Sequence, residues 1–212
     1  MGSKPYFDDI AQRWDTVRQS FFSDRVREVA LARADVRPGL LAADVGAGTG
    51  FLTEAMLRWG LRVIAVDQSQ AMLKELVRRL GHPEGVECRA GEAESLPLAD
   101  AEVDRVFANM YLHHVESPPA AVREMARVLR PGGTLVLTDA DEHSHEFLRT
   151  EQHDRWLGFK REDVRRWFEE AGLEDVAVDC VGENCCSKSQ GTGESAAISI
   201  FVAVGRKARC CA

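Results

Sequence analysis

The sequence has no long apolar run, few aromatic residues and no excess of positive charge. No segment approaches the roughly 18 consecutive apolar residues that a membrane-spanning helix needs, so we expect no membrane partner. The first ten residues contain a lysine but no apolar stretch after it, which argues against a secretory signal. A formal net charge of −7 disfavours a broad phosphate-binding surface, and therefore nucleic acid as a partner. We expect a cytoplasmic protein that handles a small molecule.

The chain is long enough to bury the core of one domain. It has 212 residues, of which 45% are hydrophobic and 29% are charged. Its six cysteines, in the absence of a secretory signal, are expected to be free thiols in a reducing compartment. The composition therefore excludes a disordered chain and a disulfide scaffold, and it leaves an enzyme or a small-molecule binding protein.

Short apolar runs alternate with helical periodicity through the middle of the chain. The runs predict five strands, at residues 40–45, 62–66, 86–90, 103–109 and 134–138. Between several of these runs, apolar residues recur three and four positions apart, which is typical of amphipathic helices. The alternation predicts an α/β fold, Rossmann-like and doubly wound, with a parallel sheet and helices on both faces.

The two ends of the chain follow other patterns. Residues 1–37 predict a helical cap or lid on a core that spans residues 38–212, within a single domain overall. Two strand-like runs, 176–181 and 196–204, are joined by a polar loop rich in glycine, serine and cysteine, with no helix between them. They predict an antiparallel hairpin that closes the sheet.

A glycine-rich segment, residues 44–50 (DVGAGTG), lies between the first predicted strand and the first helix. Dinucleotide sites have the pattern G-x-G-x-x-G and place a pyrophosphate on the helix N-terminus, but here the third glycine comes one position early. Asp44 would repel a pyrophosphate and suits a positively charged ligand. S-adenosylmethionine meets this requirement because it carries an ammonium and a sulfonium and no phosphate. The alternative is a purely structural strand-to-helix turn.

Acidic residues follow the next two predicted strands. Asp67 ends the second strand, 21 residues after Gly46, where a carboxylate can accept hydrogen bonds from both ribose hydroxyls. Glu92 follows the third strand and could accept a hydrogen bond from the adenine amino group, while the Ala93 N–H could serve a ring nitrogen. Asp67 alone would be an ordinary turn residue, but in series with the glycine segment it favours a nucleoside site.

Five segments in this order resemble the class I S-adenosylmethionine-dependent methyltransferases, and within them the group that includes the ubiquinone and menaquinone C-methyltransferases. The segments are DVGAGTG, VDQSQAML, GEAESLPL, ANMYLHHV and LRPGGTLVLTD. The flanks YFDDIAQRWD and EFLRTEQHDRWLGF are similar to methyltransferases found alone or fused to arsenic-repressor-type regulators.

The resemblance implies a sheet of seven strands with the last strand antiparallel, and S-adenosylmethionine as cofactor. It also implies the cofactor-binding residues, which are Asp44, Gly46, Gly48, Asp67, Gln68, Met72, Glu92, Ala93 and Asn109. At the adenine position the family commonly has Asp, whereas this chain has Glu92, which is one methylene longer.

Histidines follow the fourth and fifth predicted strands, at the sheet edge where ligands bind in open α/β folds. His113 and His114 come after the fourth strand, and His143 belongs to a cluster of histidines and aspartates after the fifth. Such a density of groups could supply a catalytic base or part of a metal site. The alternatives are a structural histidine pair and a solvated, helix-capping loop.

Aromatic residues in the leader could cover the cofactor. Tyr6 is the candidate lid residue, since an aromatic face attracts a sulfonium by a cation–π contact. Ordinary hydrophobic packing is the alternative. The candidate catalytic residues are thus His113, His114, His143 and Tyr6.

The cysteines form an unusual pattern near the end of the chain. Cys180, Cys185 and Cys186 have the spacing C-x4-C-C, and Cys210–Cys211 is a second vicinal pair. Thiolates are soft ligands, so Cys185 and Cys186 are a candidate site for a soft metal or a metalloid such as arsenite. Arsenite methyltransferases resemble this chain but place a further cysteine near the cofactor motifs, and residues 51–53 contain none. A flexible loop that happens to carry thiols is the alternative.

The sequence thus predicts methyl transfer from S-adenosylmethionine to a small-molecule acceptor by in-line displacement. A first alternative is a metalloid or thiol acceptor that Cys185 and Cys186 hold. A second alternative is a metal–thiol binding module without catalytic activity. The acceptor, its reacting atom and the oligomeric state stay open at this point.

Overall fold

The computed structural model of the chain describes residues 3–209. Within this range the strands form one seven-stranded sheet in the order β3-β2-β1-β4-β5-β7-β6. The strands are β1 (Leu41–Val45), β2 (Arg62–Asp67), β3 (Val86–Ala90), β4 (Val103–Asn109), β5 (Leu129–Ala140), β6 (Leu173–Lys188) and β7 (Ser195–Lys207). β7 is antiparallel to both of its neighbours, and β1 to β5 pair in parallel. The predicted Rossmann-like fold with the last strand antiparallel is confirmed.

Helices cover both faces of the sheet. They are α1 (Lys4–Ile10), α2 (Trp14–Gln19), α3 (Arg25–Arg33), α4 (Phe51–Arg58), α5 (Gln70–Leu80), α6 (Pro118–Val128), α7 (Phe147–Glu151) and α8 (Arg161–Glu170). Neighbouring residues of one strand enter opposite cores: Ala42 packs with the α3 and α4 side, and Ala43 packs with the α6 and α8 side. Both faces are therefore buried, as a parallel sheet requires.

The leader is helical, as predicted, and its two halves do different things. In the second half, Val26 and Ala30 of α3 belong to the same core as the sheet. In the first half, α1 packs against α5 through Ile10 and Met72. The leader thus lies over the carboxyl ends of β1 and β2. Its separation as a unit at residue 37 stays a prediction.

The C-terminal hairpin is longer than the sequence pattern predicted, and this corrects one expectation. β6 continues to Lys188, so residues 182–188, which were expected to form a polar loop, are strand. Register shifts between Cys180 and Asn184 allow this segment to stay paired with β7 although it is polar. β6 is an edge strand, and alternate residues of its distal half face solvent, which a polar sequence tolerates. No helix within residues 3–209 is long and apolar enough to cross a lipid bilayer.

Candidate active site

The glycine segment forms a tight turn at the carboxyl end of β1. Gly46 and Gly48 have φ angles of +72° and +53°, which favour glycine. The Gly46 and Ala47 N–H groups donate to the Val66 carbonyl at 2.9 and 3.0 Å. The Gly48 N–H donates to Asp67 Oδ2 at 2.8 Å. The turn is therefore tied to the end of β2, and the two candidate cofactor elements form one unit.

Asp44 is a buried carboxylate beneath this turn. Its side chain accepts a hydrogen bond from Thr53 Oγ1 at 2.6 Å, and the residue is only 2% exposed. Burial raises the pKa of Asp44 to about 7, and the hydrogen bonds from Thr53 only partly oppose this. A buried carboxylate with so little compensation would be stabilised by a cation, which an amino-acid ammonium group can supply.

Asp67 is the second buried carboxylate of the site. Its Oδ1 accepts from the Ser69 N–H at 2.8 Å and its Oδ2 from the Gly48 N–H. Burial raises the pKa of Asp67 to about 6 against the effect of these two hydrogen bonds. Each oxygen keeps a lone pair for a further donor. Asp44 and Asp67 together therefore suit a ligand with an ammonium and two neighbouring hydroxyls, as in S-adenosylmethionine.

The two carboxylates line an open cleft of about 610 Å³. It brings together seven of the nine predicted cofactor residues, which are Asp44, Gly46, Gly48, Asp67, Gln68, Met72 and Asn109. The leader closes over the cleft: Thr49 Oγ1 donates to Asp15 at 2.7 Å, and Ser69 Oγ donates to Asp8 at 2.6 Å.

The other two predicted residues, Glu92 and Ala93, lie outside this cleft. Glu92 is exposed and lines an adjoining depression on the far side of Tyr111. The Tyr111 side chain lies directly on Gly46, where an added Cβ would be 2.2 Å from its Cγ. Its hydroxyl is hydrogen-bonded by the backbone of Ala93, and burial raises its pKa. Tyr111 therefore takes the hydrogen bond that was expected to serve adenine, and it divides the predicted site in two.

A second pocket of about 590 Å³ adjoins the first cleft, which we call the cofactor cleft because it contains most of the residues predicted to bind the cofactor. Five residues line both spaces, which are Phe7, Trp14, Phe22, Met110 and His114. The second pocket also contains the remaining predicted catalytic residues, Tyr6, His113 and His143. Its other walls are largely apolar or aromatic. The structure thus places all four candidate catalytic residues next to the cofactor cleft.

His113 is held between two carboxylates. Its Nδ1 lies 2.7 Å from Asp139 Oδ1, and its Nε2 lies 3.8 Å from Asp154 Oδ1. Burial lowers the pKa of His113, but the two carboxylates outweigh burial and raise the pKa to about 9. His113 is therefore a cation at neutral pH in the free protein. Asp139 follows His113 by 26 residues, and only the pairing of β4 with β5 brings the two together.

The other two imidazoles are neutral. Burial and the neighbouring His113 lower the pKa of His114 well below its ordinary value. Burial, with His145 as a second cause, lowers the pKa of His143 to about 4. Of the three imidazoles that line the pocket, only His113 therefore carries a positive charge.

Tyr6 connects the leader to the segment after β5. Its hydroxyl donates to Gln152 Oε1 at 3.0 Å, and its ring packs on His153 at 4.6 Å between centroids. Burial raises the pKa of Tyr6, so the hydroxyl stays protonated. Tyr6 closes the second pocket and does not line the cofactor cleft.

The vicinal thiols of Cys185 and Cys186 do not share a site. Cys185 lines the second pocket, and burial raises its thiol pKa to about 12. Cys186 is exposed, because consecutive residues of β6 point to opposite faces of the sheet. The expectation of a joint soft-metal site therefore needs correction: both sulfurs could bind one ion only if this strand were distorted. Cys210 and Cys211 lie outside the described residues.

Comparison with known proteins supports the same fold. Residues 43–137 match the family described as "Methyltransferase domain". The demethylmenaquinone methyltransferase of Thermobifida fusca is 37% identical over 158 residues, which cover 72% of this chain and 65% of that protein. The chain therefore spans just under two thirds of the length of this curated relative.

Two solved structures share the fold. A chain from the complex between the Haloferax volcanii Trm112 methyltransferase activator and a methyltransferase has a TM-score of 0.76 at 22% identity, over 96% of this chain and 98% of that one. A Haemonchus contortus phosphoethanolamine N-methyltransferase structure, with S-adenosylhomocysteine bound, has a TM-score of 0.72 at 16% identity, over 86% of this chain and 52% of that one. The similarity of the flanks to proteins fused with arsenic-repressor-type regulators stays a prediction.

Proposed function

We propose that this chain, in which residues 43–137 match the family described as "Methyltransferase domain", is an S-adenosylmethionine-dependent methyltransferase, and that it methylates a small, flat, quinone-like acceptor in its reduced, hydroxylated form. The observation that carries this proposal is the aromatic pocket beside the cofactor cleft, with the cationic His113 at its polar end. A demethylmenaquinone methyltransferase among the relatives supports the same acceptor class.

The cofactor residues would bind and orient, and the second pocket would align the acceptor. S-adenosylmethionine supplies an electrophilic methyl carbon, to which the acceptor atom bonds as the carbon–sulfur bond breaks and sulfur keeps the electron pair. Asp44 holds the ammonium and Asp67 holds the ribose hydroxyls. The walls shared by the two spaces, among them Met110 and His114, bring the reactants together, which lowers the barrier chiefly through proximity.

His113 would stabilise negative charge on an acceptor oxygen. A reduced quinone ring becomes nucleophilic when one hydroxyl loses its proton, and the resulting anion needs a positive partner in an apolar pocket. The imidazolium of His113, oriented by Asp139, provides that charge. The proton given up by the acceptor oxygen passes to a buried carboxylate or to solvent; Asp154, whose pKa burial raises to about 6, is the nearest acceptor to His113 Nε2.

An acceptor panel tests this proposal. Deuterated-methyl S-adenosylmethionine is incubated with the protein and with a reduced hydroxynaphthalene, a simple amine, a thiol or arsenite, and products are identified by mass spectrometry. We expect label in the hydroxynaphthalene, and at least a hundredfold slower transfer by Asp67→Ala because Asp67 holds the cofactor. Transfer only to the amine would overturn the acceptor class.

A metalloid or thiol acceptor is the second candidate, and the presence of Cys185 in the pocket favours it. Cys185→Ser separates the two. Unchanged transfer to the hydroxynaphthalene by this variant supports the first proposal, whereas transfer to arsenite that disappears in Cys185→Ser supports the second. The absence of nucleic-acid partners and a cytoplasmic location stay predictions.

A further inference from the structure

Three side chains that line the second pocket form a cluster of metal-ligand type. His113, His114 and Asp154 each offer one ligand atom, and these atoms lie within 4.8 Å of one another. His113 is buried and the other two are half-buried. His113 and His114 belong to the short 3-10 turn that follows β4, while Asp154 follows α7, so two separate segments converge here.

Both histidines have a partner on Nδ1, so each can bind a metal ion through Nε2, and on His113 the ion would replace the Nε2 proton of the imidazolium. Asp139 lies 2.7 Å from His113 Nδ1, and the His153 carbonyl lies 3.4 Å from His114 Nδ1. A carboxylate or carbonyl on the far nitrogen is the usual support of a metal-binding histidine, because it fixes the ring and raises the basicity of the other nitrogen.

The Asp154 carboxylate has a cationic neighbour but no hydrogen-bond donor among residues 3–209. The neighbour is His113 Nε2, whose distance of 3.8 Å is an ion-pair contact and too long for a hydrogen bond. Only 11% of the Asp154 side chain is exposed. The carboxylate is therefore only partly compensated, and a metal ion between it and the two imidazoles would complete its interactions.

We propose that His113, His114 and Asp154 bind one divalent transition-metal ion at the polar end of the second pocket. Two imidazoles and one carboxylate suit borderline ions such as Zn²⁺, Fe²⁺, Co²⁺ and Ni²⁺ better than Ca²⁺ or Mg²⁺. Metal–ligand distances of about 2.0–2.2 Å require the ligand atoms to approach by about 1 Å from their present separations. Rotation of the side chains would have to supply this approach, because the Arg155 and Trp156 N–H groups tie the backbone of this segment to the His113 carbonyl at 3.0 and 3.1 Å.

The ion would face the acceptor pocket with coordination positions free for substrate oxygens. A hydroxyl bound to such an ion loses its proton more readily. The metal ion would therefore stabilise negative charge on the acceptor oxygen, as proposed above for the His113 imidazolium, and its higher charge would do so more strongly. This role rests on the proposed function, whereas binding of the ion does not. The alternative to a bound metal ion is a plain ion pair between the His113 imidazolium, protonated on Nε2, and the Asp154 carboxylate.

Cobalt titration of the metal-free, reduced protein distinguishes a metal site from a plain ion pair. We expect one Co²⁺ per chain with a dissociation constant in the micromolar range or tighter, visible d–d bands, and displacement by Zn²⁺. Asp154→Asn, which is nearly isosteric, should weaken binding at least tenfold. Asp139→Asn should weaken it about tenfold to a hundredfold through the orientation of His113. Circular dichroism checks that each variant is folded.

Two control variants remove other potential ligands. His145→Gln deletes an imidazole outside the cluster, and Cys185→Ser deletes the thiol of the same pocket; both should leave the affinity unchanged. No saturable binding up to 100 µM Co²⁺ would overturn the proposal. So would a strong thiolate charge-transfer band that Cys185→Ser removes, or affinity that Asp154→Asn leaves intact. Metal affinity is measured without turnover, so this test can succeed or fail independently of the proposed methyl transfer.

Discussion

The affinity for S-adenosylmethionine should depend steeply on pH, because its proposed ammonium partner is protonated in half of the free molecules at neutral pH. Burial raises the pKa of Asp44 to about 7, and only the carboxylate form can hold the ammonium. Binding therefore lowers this pKa and releases a proton. Between pH 7 and pH 5 the ionised fraction of Asp44 falls from about one half to about one hundredth, which predicts roughly fiftyfold weaker binding.

Asp67 adds to the same trend at lower pH. Burial raises its pKa to about 6, so its ionised fraction falls about tenfold between pH 7 and pH 5. The two carboxylates together predict a slope that steepens below pH 6. Isothermal titration calorimetry measures this slope, and repeating it in buffers of different ionisation enthalpy counts the protons released.

Asp44→Asn should bind more weakly at pH 7 and lose the part of the slope that Asp44 contributes. Glu174→Gln, which alters an exposed carboxylate on β6 far from the cleft, is the control and should behave as the unaltered protein. Equal affinities at pH 5 and pH 7, or an unchanged slope in Asp44→Asn, would refute the assignment of Asp44 to the ammonium.

The same carboxylate should act on the stability of the free protein in the opposite direction. The pKa of Asp44 is higher in the folded protein, about 7, than the ordinary value of 3.8. Its contribution to the free energy of unfolding is therefore complete below pH 4 and is lost as pH rises towards 7. Asp44→Asn should unfold at a higher temperature than the unaltered protein at pH 8, measured by circular dichroism without cofactor.

Further substitutions test the turn and its neighbours. Gly46→Ala should abolish cofactor binding in calorimetry, because its Cβ would lie 2.2 Å from Tyr111. The control Gly81→Ala has a similar φ of +69° but open space around the new Cβ, so it should lower the free energy of unfolding by about 1–2 kcal/mol of backbone strain and leave cofactor affinity unchanged. Equal cofactor affinities of the two variants would contradict the close approach of Tyr111 to Gly46. Thr53→Val should lower the free energy of unfolding at pH 8 by about 1–3 kcal/mol in urea titration, since it removes the hydrogen bond to buried Asp44; an unchanged value would show that this bond is not formed. Tyr111→Phe should bind the cofactor about fivefold more tightly, because the ring is then free of the roughly 1 kcal/mol hydrogen bond that holds it across the site; weaker binding would mean that the hydroxyl contacts the cofactor.

Local sequence was sufficient for the parts of the site that lie on consecutive strand ends. The sequence predicts that Asp44, Gly46 and Asp67 lie together, because the carboxyl ends of neighbouring parallel strands meet at one edge of the sheet, and all three line one cleft. The alternation of strands and helices fixed the order of these elements. The polar end of β6 was missed because pairing with β7 stabilises it, and no periodicity in residues 182–188 reveals that partner.

Side-chain direction was the part that sequence could not supply. Nothing in the segment ANMYLHHV indicates that Tyr111 lies across Gly46 and reaches Ala93, since this depends on the relative positions of three strands. The density of histidines and aspartates after the fifth strand predicted only a possible catalytic base or metal site. Only the structure selects Asp139 and Asp154 for His113 among them, because residues 26 and 41 positions apart are brought together by tertiary packing.

A crystal structure of the complex with S-adenosylhomocysteine would locate each part of the cofactor. We expect the amino-acid ammonium at Asp44, both ribose hydroxyls on Asp67, and Tyr111 turned away from Ala93 so that the adenine ring can replace it. We also expect the sulfur to face the second pocket, towards His113. A ligand bound elsewhere, or a sulfur directed away from that pocket, would contradict the assignment of the two spaces to cofactor and acceptor.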